Sequence, residues 1–280
     1  MNSDKCEHDL ERMRSITRRG VAMVNQASGL KLITAVLSNP RVVLARPSVI
    51  RFLCDYLRKF KVIDTGGNLI VHSHLPPLNS RAYSRFIKEH LLTKSIGPSH
   101  AQIGLTNACP QNCEYCYNKD RSGKLMDKET IIRTIRELKE LGMIWLGLTG
   151  GEPLLNKHIV EIVESAGEDC SVKLFTTGCT LSKQLATDLH RAGLFSVSVS
   201  LDHWKEEEHD RVRRYKGAFR TALQAIDIFK NISGMHVGVS AVLSKHMLKP
   251  ELVEEFLDTQ RVPVLAGVLR ISDGSHEANT

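Results

Sequence analysis

No uninterrupted apolar stretch in this 280-residue chain approaches the roughly 20 residues that a bilayer-spanning helix needs. The start, MNSDKCEHDLERMRS, is polar and charged, so no secretory leader is expected. The chain has no internal repeat and no low-complexity segment, which excludes repeat architectures. Seven cysteines, an odd number with three of them close together, do not read as a disulfide framework and point to a reducing cytoplasm. No cysteine follows Cys179. What remains is an ordinary globular composition, 42% apolar and 25% charged, with ample length for one large domain or a domain with an appendage.

The charge is lopsided. Residues 1–100 hold 16 lysines and arginines against 7 acidic residues, while the other 180 hold 22 against 24. A basic N-terminal third suits an anionic membrane surface, an acidic electron donor of flavodoxin or ferredoxin type, or a phosphorylated substrate. A well-solvated helical appendage explains it equally well. A cytoplasmic protein, peripheral to the membrane if the lipid reading holds, is the expected setting, with no nucleic acid as partner.

Along the chain, residues 10–60 read as helical pieces broken at Asn39-Pro40 and Arg46-Pro47. Residues 62–65 and 68–71 flank Gly66-Gly67 as a β-hairpin, and a basic helix follows from about Ser80 to Leu92. From Ala101 the pattern alternates. Strands are expected at 101–106, 143–148, 171–176, 195–201, 235–243 and 263–270, and helices at 127–141, 156–166, 182–192, 217–230 and 250–259, with Asp127 as an N-cap and Gly142 closing its helix. Units of about thirty residues imply βαβ crossovers and a parallel sheet. Eight such units need about 250 residues, so the expected fold is α/β, a partial (β/α)6 TIM-type barrel over 100–280 with a mostly helical appendage over 1–99. Ligands of such sheets sit at the C-terminal strand ends.

Chemistry concentrates at two of those ends. Cys109, Cys113 and Cys116 form C-x3-C-x2-C directly after the first strand. Soft thiolates select an iron–sulfur cluster, zinc or copper(I). Three thiolates leave one iron of a four-iron cluster open to a small molecule, whereas a zinc knuckle would recruit His90, His100 or His158. After the second strand comes Gly150-Gly151-Glu152-Pro153, where paired glycines permit close backbone approach and a carboxylate can accept from an ammonium group.

Together these two motifs resemble the radical S-adenosylmethionine (radical SAM) superfamily. Thr176-Thr177-Gly178 ends the third strand where the family often has Thr-Asn-Gly. Ser200-Leu201-Asp202 ends the fourth. His209-Asp210-Arg211-Val212-Arg213 with Lys216-Gly217-Ala218-Phe219 is similar to a block of the peptide-modifying and cofactor-maturing branch. The cysteine-rich C-terminal extension of that branch is not present in this sequence. Thr177 and Arg214 depart from the family pattern, the latter standing where a small residue is frequent.

The resemblance implies a [4Fe–4S] cluster held by Cys109, Cys113 and Cys116, with SAM on the open iron. Tyr115 would lie near the adenine, which Val239 would also cover. Gly150, Gly151 and Glu152 would receive the amino group, Ser200 and Asp202 the ribose, and Arg213 the carboxylate. The implied activity is reductive cleavage of SAM to a 5′-deoxyadenosyl radical, an oxidoreductase chemistry acting on a small molecule, lipid, isoprenoid, peptide or cofactor precursor. Cys179 is a candidate hydrogen-atom donor, or simply a buried thiol. Trp204 could stack on substrate. The rival from another class is a non-enzymatic zinc- or cluster-binding interaction protein.

Overall fold

A computed structural model of the protein describes residues 47–48, 51, 62–71, 73–93, 97–119, 123, 125–203, 205–244 and 267–272. The helical pieces expected over 10–60 (Pro47, Ser48 and Arg51 excepted), the helix at 250–259, and Cys6, Cys54, His72 and Trp204 lie outside the described residues.

Six strands form one all-parallel sheet in sequential order: β3 (His100–Gly104), β4 (Trp145–Thr149), β5 (Ser171–Thr176), β6 (Leu194–Ser200), β7 (His236–Ser244) and β8 (Gly267–Ser272). Strands β3 and β8 do not pair among the described residues, so the sheet stays open as a partial barrel. The crossover helices are α2 (Lys128–Glu140), α3 (Ile159–Ala166), α4 (Lys183–Arg191) and α6 (Ala218–Lys230). Asp127 caps α2 by accepting from Thr130 N at 2.7 Å, and Ser182 caps α4 by accepting from Leu185 N at 3.0 Å. Helix α3 begins three residues later than its periodicity suggested, because the chain first turns at Asn156, whose Oδ1 accepts from His158 N at 2.9 Å.

One helix was not anticipated, α5 (Glu206–Arg213). Its sequence, EEEHDRVR, carries almost no apolar periodicity, and the residues it buries are the polar His209 and Arg213, four apart on one face. Their burial is decided by partners elsewhere in the chain.

Strand alternation separates two environments. Leu146, Leu148, Val172, Leu174, Val197, Val199, Val237 and Val239 join the helices in one continuous apolar core. The opposite face carries Gly147, Lys173, Phe175, Ser196, Ser198 and His236, an interior unusually rich in polar side chains.

The described part of the N-terminal third packs beneath this sheet. The hairpin β1 (Ile63–Asp64) and β2 (Leu69–Ile70) forms as expected. The following helix α1 (Arg81–Phe86) widens into a π-helical turn over Ile87–Leu92. Trp145 Nε1 donates to Ser73 O at 2.9 Å, Gly234 N to Thr65 O at 2.8 Å, and Arg85 pairs with Asp169 at 3.1 Å. Ile70, Ile144, Trp145 and Phe195 close a small apolar cluster at the N-terminal strand ends. No helix among the described residues is long and apolar enough to cross a membrane.

Lys173 connects the polar interior to this floor. Its Nζ donates to Ser73 Oγ at 2.7 Å and lies 4.8 Å from the Phe175 ring centroid. Burial pushes its pKa down to about 8. The folded value therefore lies below the unfolded one, and above about pH 8 the unfolded chain binds the extra proton. Stability should rise with pH as this group titrates. Relative to Lys173→Met, the wild type is expected to gain about 1 kcal/mol between pH 7 and 9, measured by denaturant unfolding at each pH. A pH-independent difference would overturn this.

Candidate active site

The C-terminal strand ends bring the motif residues together through backbone contacts. The cysteine loop leaves β3 and runs past the loop after β4. Gly151 N donates to Thr106 O at 2.6 Å, and Glu152 N donates to Ala108 O at 2.8 Å. A Cβ on Gly151 would sit 2.2 Å from Ala108 O. A Cβ on Gly150, whose φ is +123°, would sit 2.6 Å from Thr106 O. Both positions thus require glycine, because two backbones occupy the space a side chain would take. On its other side the loop pairs with the end of α5, Asn112 N donating to Arg213 O at 3.1 Å and Glu114 N to Val212 O at 3.3 Å.

Glu152 is fully buried, and its carboxylate is engaged within the protein. Oε1 accepts from Thr176 Oγ1 at 2.7 Å and Leu154 N at 3.1 Å, while Oε2 accepts from Thr177 N at 2.7 Å and from Thr177 Oγ1. Burial raises its pKa, against the pull of these hydrogen bonds. Thr176, which matches the family pattern, and Thr177, which departs from it, are the residues that meet this carboxylate.

Asp202 anchors the second half of the site. Its Oδ2 accepts from Arg213 Nε at 2.6 Å and from the Tyr115 hydroxyl, and its Oδ1 accepts from Val242 N at 3.0 Å. Burial alone would raise the Asp202 pKa, but the Arg213 charge and these hydrogen bonds hold it below the usual carboxylate range. Arg213 Nη1 continues to Gln111 Oε1 at 3.4 Å and to Cys113 Sγ at 3.8 Å. Its Cζ lies 5.7 Å from the Tyr115 ring centroid. Burial raises the Cys113 pKa, and Arg213 is the main influence opposing it.

The rest of the α5 motif braces this pair. Asp202 N donates to His209 Nδ1 at 3.1 Å, which puts the ring proton on Nε2, and the imidazole meets the Phe219 ring edge-on at 5.9 Å. Burial, helped by the Arg213 charge, lowers the His209 pKa to about 4, so the ring stays neutral near pH 7. Asp210 accepts from Gly217 N at 2.6 Å and Phe219 N at 2.9 Å, capping α6.

Other expected residues fall nearby. Ser200 ends β6, in register with Ser240. Cys179 is buried beyond β5, and its thiol pKa is raised by burial; Thr177, Glu152, Arg213 and Gln111 are the groups that act on it. Val239, expected over the adenine, belongs instead to the apolar core shared with the helices; Gly238 and Ser240 occupy the other face of β7. Tyr117 was not anticipated. It is 68% exposed, and its hydroxyl donates to Gly150 O at 3.1 Å, across the loop junction. Gln111 was also missed, since a lone glutamine inside a cysteine run carries no spacing signal.

The donor set fits an iron–sulfur cluster better than a closed zinc site. His90 is bonded to Gly142 O at 2.7 Å, His100 to His74 O at 2.6 Å, and His158 to Glu161 at 2.9 Å, so none serves the cysteines. Among the described residues no three His, Cys, Asp or Glu side chains converge closely enough to hold one metal ion, and no described cysteine is in a disulfide.

The sequence model of the Radical SAM superfamily matches residues 103–261, more than half of the chain. The chain belongs to the radical SAM superfamily. That superfamily uses a [4Fe–4S] cluster and SAM. A PqqA peptide cyclase of Bradyrhizobium diazoefficiens is 29% identical over 178 residues, covering 61% of this chain and 47% of the relative. A probable GTP 3′,8-cyclase of Methanopyrus kandleri is 32% identical over 163 residues, covering 57% and 53%. This radical SAM chain spans about half the length of these curated relatives. Among solved structures, Streptococcus suis SuiB bound to S-adenosylmethionine aligns with a TM-score of 0.52 at 18% identity, over 65% of this chain and 42% of that one, a similarity of fold.

Two substitutions test the radical SAM site's construction. Gly151→Ala must separate the loops and is expected to lower stability by about 2–3 kcal/mol, read as the unfolding midpoint in urea. Arg214, which ends α5 at φ +48° and ψ +43°, sits in the left-handed region that disfavours side chains. Arg214→Gly is expected to gain about 1 kcal/mol in the same measurement; a loss would refute backbone strain as the main influence there.

Proposed function

We propose that this protein is a radical SAM enzyme in which Cys109, Cys113 and Cys116 hold a [4Fe–4S] cluster. One observation carries the reading: a loop offering three cysteine sulfurs lies in backbone contact with Gly150-Gly151-Glu152. When bound, the cluster and SAM supply one-electron cleavage of the sulfonium and hydrogen abstraction by the 5′-deoxyadenosyl radical.

The chain's own residues bind, orient and seal. Gly150 and Gly151 let the cysteine loop sit against the loop after β4 and keep that backbone open to SAM's amino group. Glu152, fastened to Thr176 and Thr177, sets the shape of this rim. Ser200 and Asp202 stand at the end of β6 for the ribose, Asp202 already holding Tyr115 on the adenine side. Arg213 keeps Nη2 for the carboxylate, since its Nε and Nη1 are engaged. Cys179, buried at the end of β5, is the candidate hydrogen-atom donor. The polar inner face excludes bulk water by burial and leaves groups that can hydrogen-bond a substrate.

A peptide is the favoured substrate class. Relatives named PqqA peptide cyclase, and a SuiB structure bound to the precursor peptide SuiA, support it. The basic N-terminal third supports the second reading, a lipid or isoprenoid presented at an anionic membrane by a peripheral cytoplasmic enzyme. An acidic flavodoxin or ferredoxin would deliver the electron. We take 100–280 as the catalytic unit and the appendage of 1–99, through residues 62–93, as its floor.

The test is anaerobic reconstitution with iron and sulfide, then SAM and dithionite. The expected product is 5′-deoxyadenosine, lost by more than about a hundredfold in Cys113→Ala, beyond what removing a residue outside the ligand set typically costs. Tightly bound zinc, or a loaded cluster that yields no 5′-deoxyadenosine, would favour the non-enzymatic alternative. Salt-graded co-sedimentation with anionic vesicles separates the substrate readings: protein never retained by the vesicles excludes the lipid one.

A further inference from the structure

We propose that Arg213 is a positioning residue that sets the reduction potential of the iron–sulfur centre, by holding a guanidinium N–H against the sulfur of Cys113 with Asp202 as its buried counter-charge. The inference rests on the reading of Cys113 as a cluster ligand.

The geometry is specific. Arg213 Nη1 lies 3.8 Å from Cys113 Sγ and 3.4 Å from Gln111 Oε1, while Nε lies 2.6 Å from Asp202 Oδ2. Arg213 is 6% exposed and Asp202 1%, so water screens neither charge effectively. The same arginine holds the loop at a second point, its carbonyl accepting from Asn112 N at 3.1 Å. Its distance from the sulfur is therefore fixed by loop docking as well as by side-chain preference. Asp202 is immobilised in turn by Val242 N and by the Tyr115 hydroxyl on its carboxylate, and by His209 on its own N–H.

Reducing the cluster adds one negative charge, part of it on the thiolate sulfurs. An N–H donor and a positive charge beside one sulfur stabilise the reduced form and raise the potential; a carboxylate behind them works the other way. The two members of the ion pair therefore have opposite effects. A merely structural role predicts no such opposition.

The experiment uses the full chain reconstituted anaerobically with ferrous iron and sulfide, without SAM, in redox titrations followed by electron paramagnetic resonance. Arg213→Gln should lower the potential and Asp202→Asn should raise it. Each shift is expected to reach a tenfold change in the oxidised-to-reduced ratio at fixed poise, about 59 mV for one electron. Iron and sulfide contents must match the wild type. Shifts of the same sign, or no shift in fully loaded variants, would overturn the proposal. If Arg213→Gln fails to load, Asp202→Asn decides: a rise supports the proposal, while no change or a fall overturns it. Failure of both variants to load, with a loaded wild type, assigns the pair to folding and also overturns it. A wild type that forms no cluster is a different failure, that of the underlying functional reading.

Discussion

Two stretches of backbone touch at Gly150 and Gly151, and the placement of the cysteine loop depends on that contact. Thr106 and Ala108 supply carbonyls to Gly151 and Glu152. With any larger side chain the loops could not approach, since the room left for a Cβ is already filled by carbonyl oxygen. Three thiols on a long loop would otherwise pay a large ordering entropy before meeting any ligand. Docking on one side to the loop after β4 and on the other to the end of α5 settles that ordering in the fold itself.

The α5 block is the second half of the same construction. His209 takes the N–H of Asp202, Arg213 takes its carboxylate, Asp210 caps α6, and Phe219 packs on His209. These are polar groups removed from water, and most are tolerable because a partner meets them, while the buried His209 Nε2–H has no hydrogen-bond partner among the described residues. The strained backbone at Arg214 comes directly after Arg213, where the chain must turn sharply to bring Gly217 to Asp210. A buried ion pair contributes little net stability but breaks expensively, which suits a group whose work is orientation.

Beneath the rim, the inner face of the sheet is polar where a barrel of this size would ordinarily be filled with branched apolar residues. Lys173, Ser196, Ser198 and His236 are buried there, and the hairpin with α1 covers the N-terminal strand ends. The architecture is therefore asymmetric: a sealed floor, an apolar outer layer against helices, and a polar interior opening toward the motif residues.

Much of this was legible beforehand. The five strands from β3 to β7 fall within two residues of their expected bounds, because alternating apolar runs bounded by glycine and helix caps are local signals. The cysteine spacing and the paired glycines marked the site, since donor type and absence of a side chain are properties of residues alone. Helix α5 was not legible, because His209 and Arg213 are buried by Asp202, a residue outside their own helix. Nor was the inward commitment of Glu152, whose carboxylate is claimed by Thr176 and Thr177 one strand away. Val239, which the resemblance put over the adenine, packs in the apolar core, because which face of β7 the helices cover is decided by packing and not by the strand's own residues. Sequence alone determined which chemical groups are available and roughly which elements carry them, since these follow from composition and short-range sterics. Tertiary structure decided which of those groups face each other, because burial, ion pairing and hydrogen-bond satisfaction depend on partners far apart in the chain.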